Sequence, residues 1–451
     1  MDYMQLAKDI VARIAEKGVE GEALIIDSQE THMQVNQGEV SQLMQSGSRG
    51  VGIRVIDGGR VGYAYTSNFA PDSIEKTTRA AIELAQVATP DANRVIPDPS
   101  PVSEEDLEIW DAELATMPIE RKIDFLKRVE RAALAYDPRV VLVPWCEYED
   151  NVAVRYLANS KGFAGSYGKT TASCFLFAVA ADGDQRAESF DLGASIFFHE
   201  LDPEQIGQLA AKRSLSMLGG TSVPTQNCPV VFDALVAAEL LATLSFALSG
   251  EQILKKRSFL IDQIGKEIAS DKFSLVDNAR LKRGLGSRPF DDEGVPTSAT
   301  RLIDEGMFQA ALYDTYAAKR AGARSTGNAS RGSHRQLSTV GVSNLYLQPG
   351  NKSVDELIAG VDQGLYVTRI MQTGGVNPVT GDCSMGAYGT WIENGKLTKA
   401  VAGITVATTL QALLQNVSDV ASDIRAVPFG GVINVPTIRV ENVTVGGTPQ
   451  A

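Results

Sequence analysis

Residues 229–269, PVVFDALVAAELLATLSFALSGEQILKKRSFLIDQIGKEIA, constrain the fold more than any other stretch of this chain. A short apolar run, 229–232, has the composition of a buried strand. Asp233 then has the chemistry of a helix N-cap, because its carboxylate can accept from the free amides of a first turn. Residues 234–248 are good helix formers, apolar on nearly every face, and Ser249-Gly250 closes them with a residue that tolerates the left-handed conformation. A helix of this kind is expected to be buried all round. The basic, polar segment 251–258 follows at once, so the core helix is expected to deliver its C-terminal end to a wet edge where function can reside.

The rest of the chain has to supply enough structure to bury that helix. At 451 residues it exceeds one hydrophobic core, and two or three domains are expected. Its net charge of −13 argues against a nucleic-acid backbone as the main partner, since such binding needs a basic face. The opening MDYMQLAKDIVARIAEKG is a charged amphipathic helix without a signal-peptide core. Residues 231–250 approach membrane-span length but carry Asp233 and Glu239, so a core helix is expected and no membrane partner. Cys146, Cys174, Cys228 and Cys383 lie far apart with no CxxC, which points to reduced thiols and a cytoplasmic protein.

The patterning predicts an α+β chain. Residues 1–100 read as one N-terminal α+β subdomain: a helix over 4–17, strands at 22–27, 31–36, 50–57 and 60–67, and a helix from Pro71 to Val87. Asp57-Gly58-Gly59 sits between two alternating runs as a hairpin turn. Residues 101–222 repeat the outline as a second α+β subdomain that can merge with the first. Its helix covers 119–136, its strands 140–148, 152–159, 171–180 and 187–198, and its closing helix 202–219. The acidic, proline-rich stretch 88–117 between them reads as a crossing arm with a solvated acidic face. Residues 223–451 form a third, mostly-β domain around the buried helix, with further helices near 353–364 and 410–417 and a last strand at 436–445.

Motifs that carry chemistry are scarce. GFAGSYGKT, 162–170, leaves five residues where a phosphate loop has four and runs into a strand rather than a helix, so it reads as a turn. Asp182-Gly183-Asp184 lacks the glutamate that would close a calcium loop and reads as a hairpin. His32, His199 and His334 are isolated, with no HxxxH or HExxH spacing. Cys383 lies in the glycine-rich GGVNPVTGDCSMGAYG without an evident base, which favours a structural thiol. The one concentrated basic loop is 320–335, RAGARSTGNASRGSHR. It reads equally as a flexible solvated loop or as a set of amides and hydroxyls presented to a carboxylate or peptide backbone.

Several stretches, taken in order, resemble the TldD/PmbA family, paired subunits of a bacterial peptidase also described as modulators of DNA gyrase. They are GVGIRVIDGGRVGYAYTSNF, KKRSFLIDQIGKEI, RPFDDEGVPT, ARSTGNAS, GLYVTRIMQTGGVNPVTGDCSMGAYGTWIENGK and PTIRVENVTVGG. In the TldD-type subunit the helix of the third domain carries HExxxH, and a later cysteine completes a zinc site. Registered on Leu248-Ser249-Gly250, that motif falls on Leu241, Ala242 and Phe246, and the cysteine position falls near Ser422. None of these can ligate zinc, so the chain resembles the PmbA (TldE) branch, with no metal or catalytic residue of its own and the former ligand positions turned into core.

The resemblance implies a heterodimer with a TldD-type zinc subunit acting on unfolded peptides. This chain would support proteolysis by enclosing substrate and stabilising its partner, and homodimerisation in isolation is left open. Residues expected to face substrate or partner are Glu251, Lys255, Arg257, Arg324, Ser325, Thr326, Gly327, Gly374 and Gly375. Two rival readings stand beside this one: an independent hydrolase with a non-metal nucleophile, Cys383 or a serine, and a regulator that binds gyrase or an antitoxin without proteolysis.

Overall fold

A computed structural model describes residues 1–371 and 375–447. The first half builds one antiparallel sheet with helices on one face. In chain order come α1 (Tyr3–Ala15), β1 (Glu20–Asn36), β2 (Glu39–Asp57), β3 (Arg60–Thr66), α2 (Pro71–Val87), α3 (Ile119–Leu134), β4 (Val140–Asn159), β5 (Ala164–Asp182), β6 (Gln185–Ser195) and α4 (Pro203–Ser216). The strand order is β3-β2-β1-β4-β5-β6. The two outlines read from the sequence therefore fuse: β1 of the first pairs with β4 of the second from Glu22↔Asn159 to Gln34↔Glu147. Ile10, Ile14, Ile25, Ile53 and Ile74 form the core under α1 and α2; Leu126, Val129, Tyr148, Leu176 and Phe198 form that under α3 and α4.

The short strands expected at 22–27 and 31–36 are one strand, and residues 39–49, not assigned to any strand from the sequence, begin β2. The reason is local. Residues 41–49 are exposed, so the apolar alternation that marks a half-buried strand is missing where the strand stands free. The arm 88–117 is pinned rather than simply solvated. Leu107 and Ile109 are buried, Arg280 pairs with Glu105, and Lys282 with Glu108.

The second half is one large core between two sheets. Its strands are β7 (Gln226–Phe232), β8 (Leu275–Asn278), β9 (Ala299–Asp304), β10 (Met307–Phe308), β11 (Ala329–Ser330), β12 (Thr339–Val340) and β13 (Asn344–Leu347). They continue with β14 (Gln363–Met371), β15 (Asp382–Glu393), β16 (Lys396–Thr409), β17 (Val417–Val420), β18 (Arg425–Val427), β19 (Val432–Val435) and β20 (Ile438–Gly446). One sheet runs β16-β15-β14-β7-β20-β17, and β16 also pairs with β20, so five of its strands close on themselves. The other runs β10-β9-β8-β13-β19-β18, and β11-β12 stand apart as a pair. The helices are α5 (Ala234–Ala247), α6 (Gly250–Leu254), α7 (Thr315–Ala321), α8 (Val354–Ala359) and α9 (Leu410–Gln415). Helix α5 packs against β14 of the first sheet and β18 and β19 of the second, as the central piece of this core. No described helix is long and apolar enough to cross a membrane.

Candidate functional site

The site is built outward from α5, and its N-terminus is clamped. The Asp233 carboxylate accepts from the Leu235 amide at 2.9 Å, as the sequence predicts. It also accepts from the Arg213 guanidinium at 2.8 and 3.0 Å and from the Tyr366 hydroxyl at 3.1 Å. Arg213 Nε donates to Asp191 at 2.9 Å, and Arg425 donates to the same carboxylate at 3.0 Å. Asp191 and Arg213 belong to β6 and α4, so this chain of charges ties the first sheet to the strand–helix junction of the second half. Burial acts to lower the Arg213 pKa, but Asp233 and Asp191 overcome it and hold the guanidinium charged. A second buried group does the same nearer β2: Arg54 donates to Glu22 at 2.7 Å and to Glu293 at 2.9 Å, and Arg331 also binds Glu22.

Helix α5 is not buried all round. Leu235, Val236, Leu240, Leu241 and Leu244 are core, but Glu239, Ala242, Thr243 and Ser245 are partly open and Phe246 is 40% exposed. The expectation that Leu241 and Phe246 both became core therefore holds for Leu241 alone. At 100° per residue, 239, 242, 243 and 246 share one face, and the packed sheets leave that face uncovered. Burial, first of all, raises the Glu239 carboxyl to about 7; Arg369 and Arg213 act in the opposite direction, and Asp233 adds to the rise. Glu239 is the functional candidate that sequence reasoning passed over, although it is the single charge within α5.

The wet edge after α5 is real but tightly built. Gly250 N donates to the Leu312 carbonyl at 2.7 Å, and a Cβ there would lie 2.0 Å from the Tyr313 ring. That close approach explains a glycine opening α6. Glu251 pairs with Lys255 at 2.7 Å, one turn apart, while Lys255 and Arg257 face outward. Across from α6, Asp314 caps α7; its carboxyl is raised to about 6, by burial first, then Glu293, with Glu251 contributing. Glu251 thus lies close enough to Asp314 to act on it electrostatically.

That loop is not a free solvated segment. Thr326 Oγ1 accepts from the Tyr313 amide at 2.8 Å, and Ser325 Oγ donates to the Tyr313 carbonyl at 3.2 Å. Gly327 takes φ +74° beside the Pro296 carbonyl, where a Cβ would approach to 2.9 Å. Arg331 and His334 are buried, while residues 320–324, Gly332 and Arg335 are exposed. Hydroxyls read as ligands for substrate are thus spent on the fold. Gly375 sits apart, against the Ser384 carbonyl, and Gly374 lies outside the described residues. Ser422 is exposed, three residues ahead of β18, which packs beside α5.

Zinc chemistry does not fit this helix. A catalytic zinc takes three protein ligands and a water, whereas Leu241, Ala242 and Phe246 offer no donor and Glu239 is the only carboxylate on the open face. The Cys383 thiol is also unsuited to attack. It is buried, donates to the Gly381 carbonyl at 3.5 Å, and burial pushes its pKa up to about 12. Among the described residues one His–carboxylate group does assemble: His32 Nε2 lies 3.3 Å from Glu147 and 3.8 Å from Glu149, across β1 and β4. Sequence spacing hides it because the partners are far apart in the chain and meet only through strand register.

Comparison with known proteins matches three stretches of the chain. Residues 21–85, 112–218 and 225–447 match, in turn, the families described as PmbA/TldA metallopeptidase domain 1, central domain and C-terminal domain. The chain is 31% identical over 390 residues to the metalloprotease PmbA homolog of Haemophilus influenzae, covering 86% of this chain and 84% of that one. It is 28% identical over 462 residues to the metalloprotease TldD homolog of the same organism, covering 94% and 93%. Among solved structures, TldE from Thermococcus kodakarensis superposes with a TM-score of 0.89 at 26% identity, covering 98% of this chain and all of that one. A candidate modulator of DNA gyrase from Thermotoga maritima gives a TM-score of 0.90, also at 26% identity, with coverage of 98% and 100%.

Proposed function

Since this chain belongs to the PmbA/TldD family of metallopeptidases, we propose that it is the subunit of a TldD/TldE-type heterodimer that does not carry zinc. In this reading it encloses an unfolded peptide and steadies the TldD-type subunit that cuts it. The observation that carries the reading is the open face of α5. The fold around this helix is that of a metallopeptidase family, yet Ala242 and Phe246 stand on an accessible face with no atom that binds a metal. An apolar side chain kept at 40% exposure on the same helix face as a carboxyl raised to about 7 is a surface suited to contact with another chain rather than to core packing.

The experiment is reconstitution. The purified chain is mixed with its TldD-type relative and an unstructured peptide, and complex formation and cleavage are followed together. A stable pair whose cleavage depends on both chains supports the reading; no complex, or cleavage indifferent to this chain, overturns it. An independent hydrolase reading predicts chelator-resistant cleavage by this chain alone, abolished by Cys383→Ser. The raised Cys383 thiol pKa speaks against it. A non-proteolytic regulator of gyrase or an antitoxin predicts capture of that target without a partner peptidase. Zinc is expected only on the partner.

A further inference from the structure

Away from α5, a cavity of about 330 Å³ opens between the bare face of the first sheet and the second half. Three cations line it: Arg155 from β4, Lys169 from β5, and Arg288 from the segment before β9. Against them stands one buried carboxylate, Asp292, which Arg155 meets at 2.9 Å and Arg288 at 3.7 Å. The other carboxylates nearby are engaged. Asp291 accepts from the amides of Glu293, Val295 and Ala329; Asp277 accepts from Asn328 and the Ser343 amide; Glu30, at the rim, accepts from Asn151.

The donors are in surplus. Among the described residues Lys169 Nζ has only the Leu285 carbonyl as a hydrogen-bond acceptor. Arg288 Nε is buried with no hydrogen-bond partner among them, whereas Ser343 is bonded to Asp277. Buried donors left without acceptors cost free energy, and a cation among cations costs more. The strain is visible in Lys169: its pKa is lowered to about 7, by burial first and then by Arg288 and Arg155, with Asp292 opposing them.

We propose that this cavity binds a small carboxylate monoanion, held by Lys169 and Arg288. A carboxylate has two oxygens for a forked guanidinium edge and an ammonium. Arg155 and Asp292 already offset each other at 2.9 Å, and Lys169 is only partly charged near pH 7, so the remaining positive charge suits a monoanion better than a dianion such as phosphate. Residues 162–170, whose spacing fails that of a phosphate loop, would thus supply a ligand through the side chain of Lys169 on β5 rather than through a glycine-rich turn.

The test uses the full chain and a matched pair of probes, N-acetylglycine and N-acetylglycinamide, which differ chiefly in charge, with inorganic phosphate as a third arm at equal ionic strength. Binding is read by calorimetry, and the Lys169 ammonium is titrated by NMR in the unmutated protein. N-acetylglycine should bind and raise the Lys169 pKa by about one unit or more, while the amide should do neither. Lys169→Met should weaken binding by about tenfold or more, and Lys169→Arg should retain most of it. Binding of acid and amide alike overturns the proposal. So does tighter binding of phosphate, no binding of either probe, or binding that leaves the Lys169 titration unmoved. None of these outcomes depends on whether the chain partners a zinc subunit.

Discussion

Replacing Arg213 by methionine removes the charge that joins β6 and α4 to the start of α5 while keeping a side chain of similar length. In the native protein the Arg213 side chain is 12% exposed and bridges Asp191, 0% exposed, and Asp233, 11% exposed. Deleting one partner of a buried ion pair costs about 3–5 kcal/mol, because the charge left behind is uncompensated. Arg425 stays on Asp191, so the loss falls mainly on Asp233 and is expected near the lower end, about 3 kcal/mol. The assay is urea unfolding followed by the fluorescence of Trp391, which is buried in the second half. A second variant makes the reasoning sharper. Asn is a good N-cap and carries no charge, so Arg213→Met with Asp233→Asn should recover about 1–2 kcal/mol relative to Arg213→Met alone. A single-variant effect below about 0.5 kcal/mol, a range typical of surface changes, would refute the claim that this network holds the halves together. Absence of any recovery would refute the electrostatic account of it.

Two further outcomes follow from the exposure pattern of α5. Leu241→Ala should cost about 2–5 kcal/mol by leaving a cavity in the core. Phe246→Ala should cost clearly less in the isolated chain but weaken association with a TldD-type subunit, measured by sedimentation or calorimetry; equal costs in the isolated chain would place both residues in the core. Glu239→Gln tests the raised carboxyl. A folded pKa of about 7, above the unfolded carboxylate value, gives stability that is full below the unfolded pKa and lost as pH rises through 7. Glutamine should therefore change little at pH 4 and stabilise by roughly 1–3 kcal/mol at pH 8; a pH-independent difference contradicts the shift.

The elements with strong local signatures were legible in the sequence: α1, α3 and α4 by their apolar stripes, the β2–β3 hairpin by Asp57-Gly58-Gly59, and α5 by its cap and composition. What composition could not give was the uncovered face of α5, since an apolar residue carries no mark of whether a sheet reaches it. Phe246 looks like Leu241 in sequence and differs only in where the neighbouring sheets end. The long strands β1 and β2 were broken in the reading because polar residues on a solvent-facing sheet resemble loop. The site showed the same limit. Glu251 and the basic loop 320–335 could be suspected from their polarity, but the Ser325 and Thr326 hydroxyls serve the backbone at Tyr313. The groups around Lys169 and around His32 come together only through strand register and the packing of the two halves, which no spacing along the chain encodes.

The central claim is that this member of a metallopeptidase family carries no zinc and works through a partner. Metal content measures it most directly, determined by mass spectrometry on the purified chain alone and on its complex with a TldD-type subunit after dialysis. The account predicts no stoichiometric zinc on the isolated chain and one zinc per heterodimer, lost when the partner's metal is removed. One equivalent of zinc on the isolated chain, together with peptide cleavage by that chain, would contradict it.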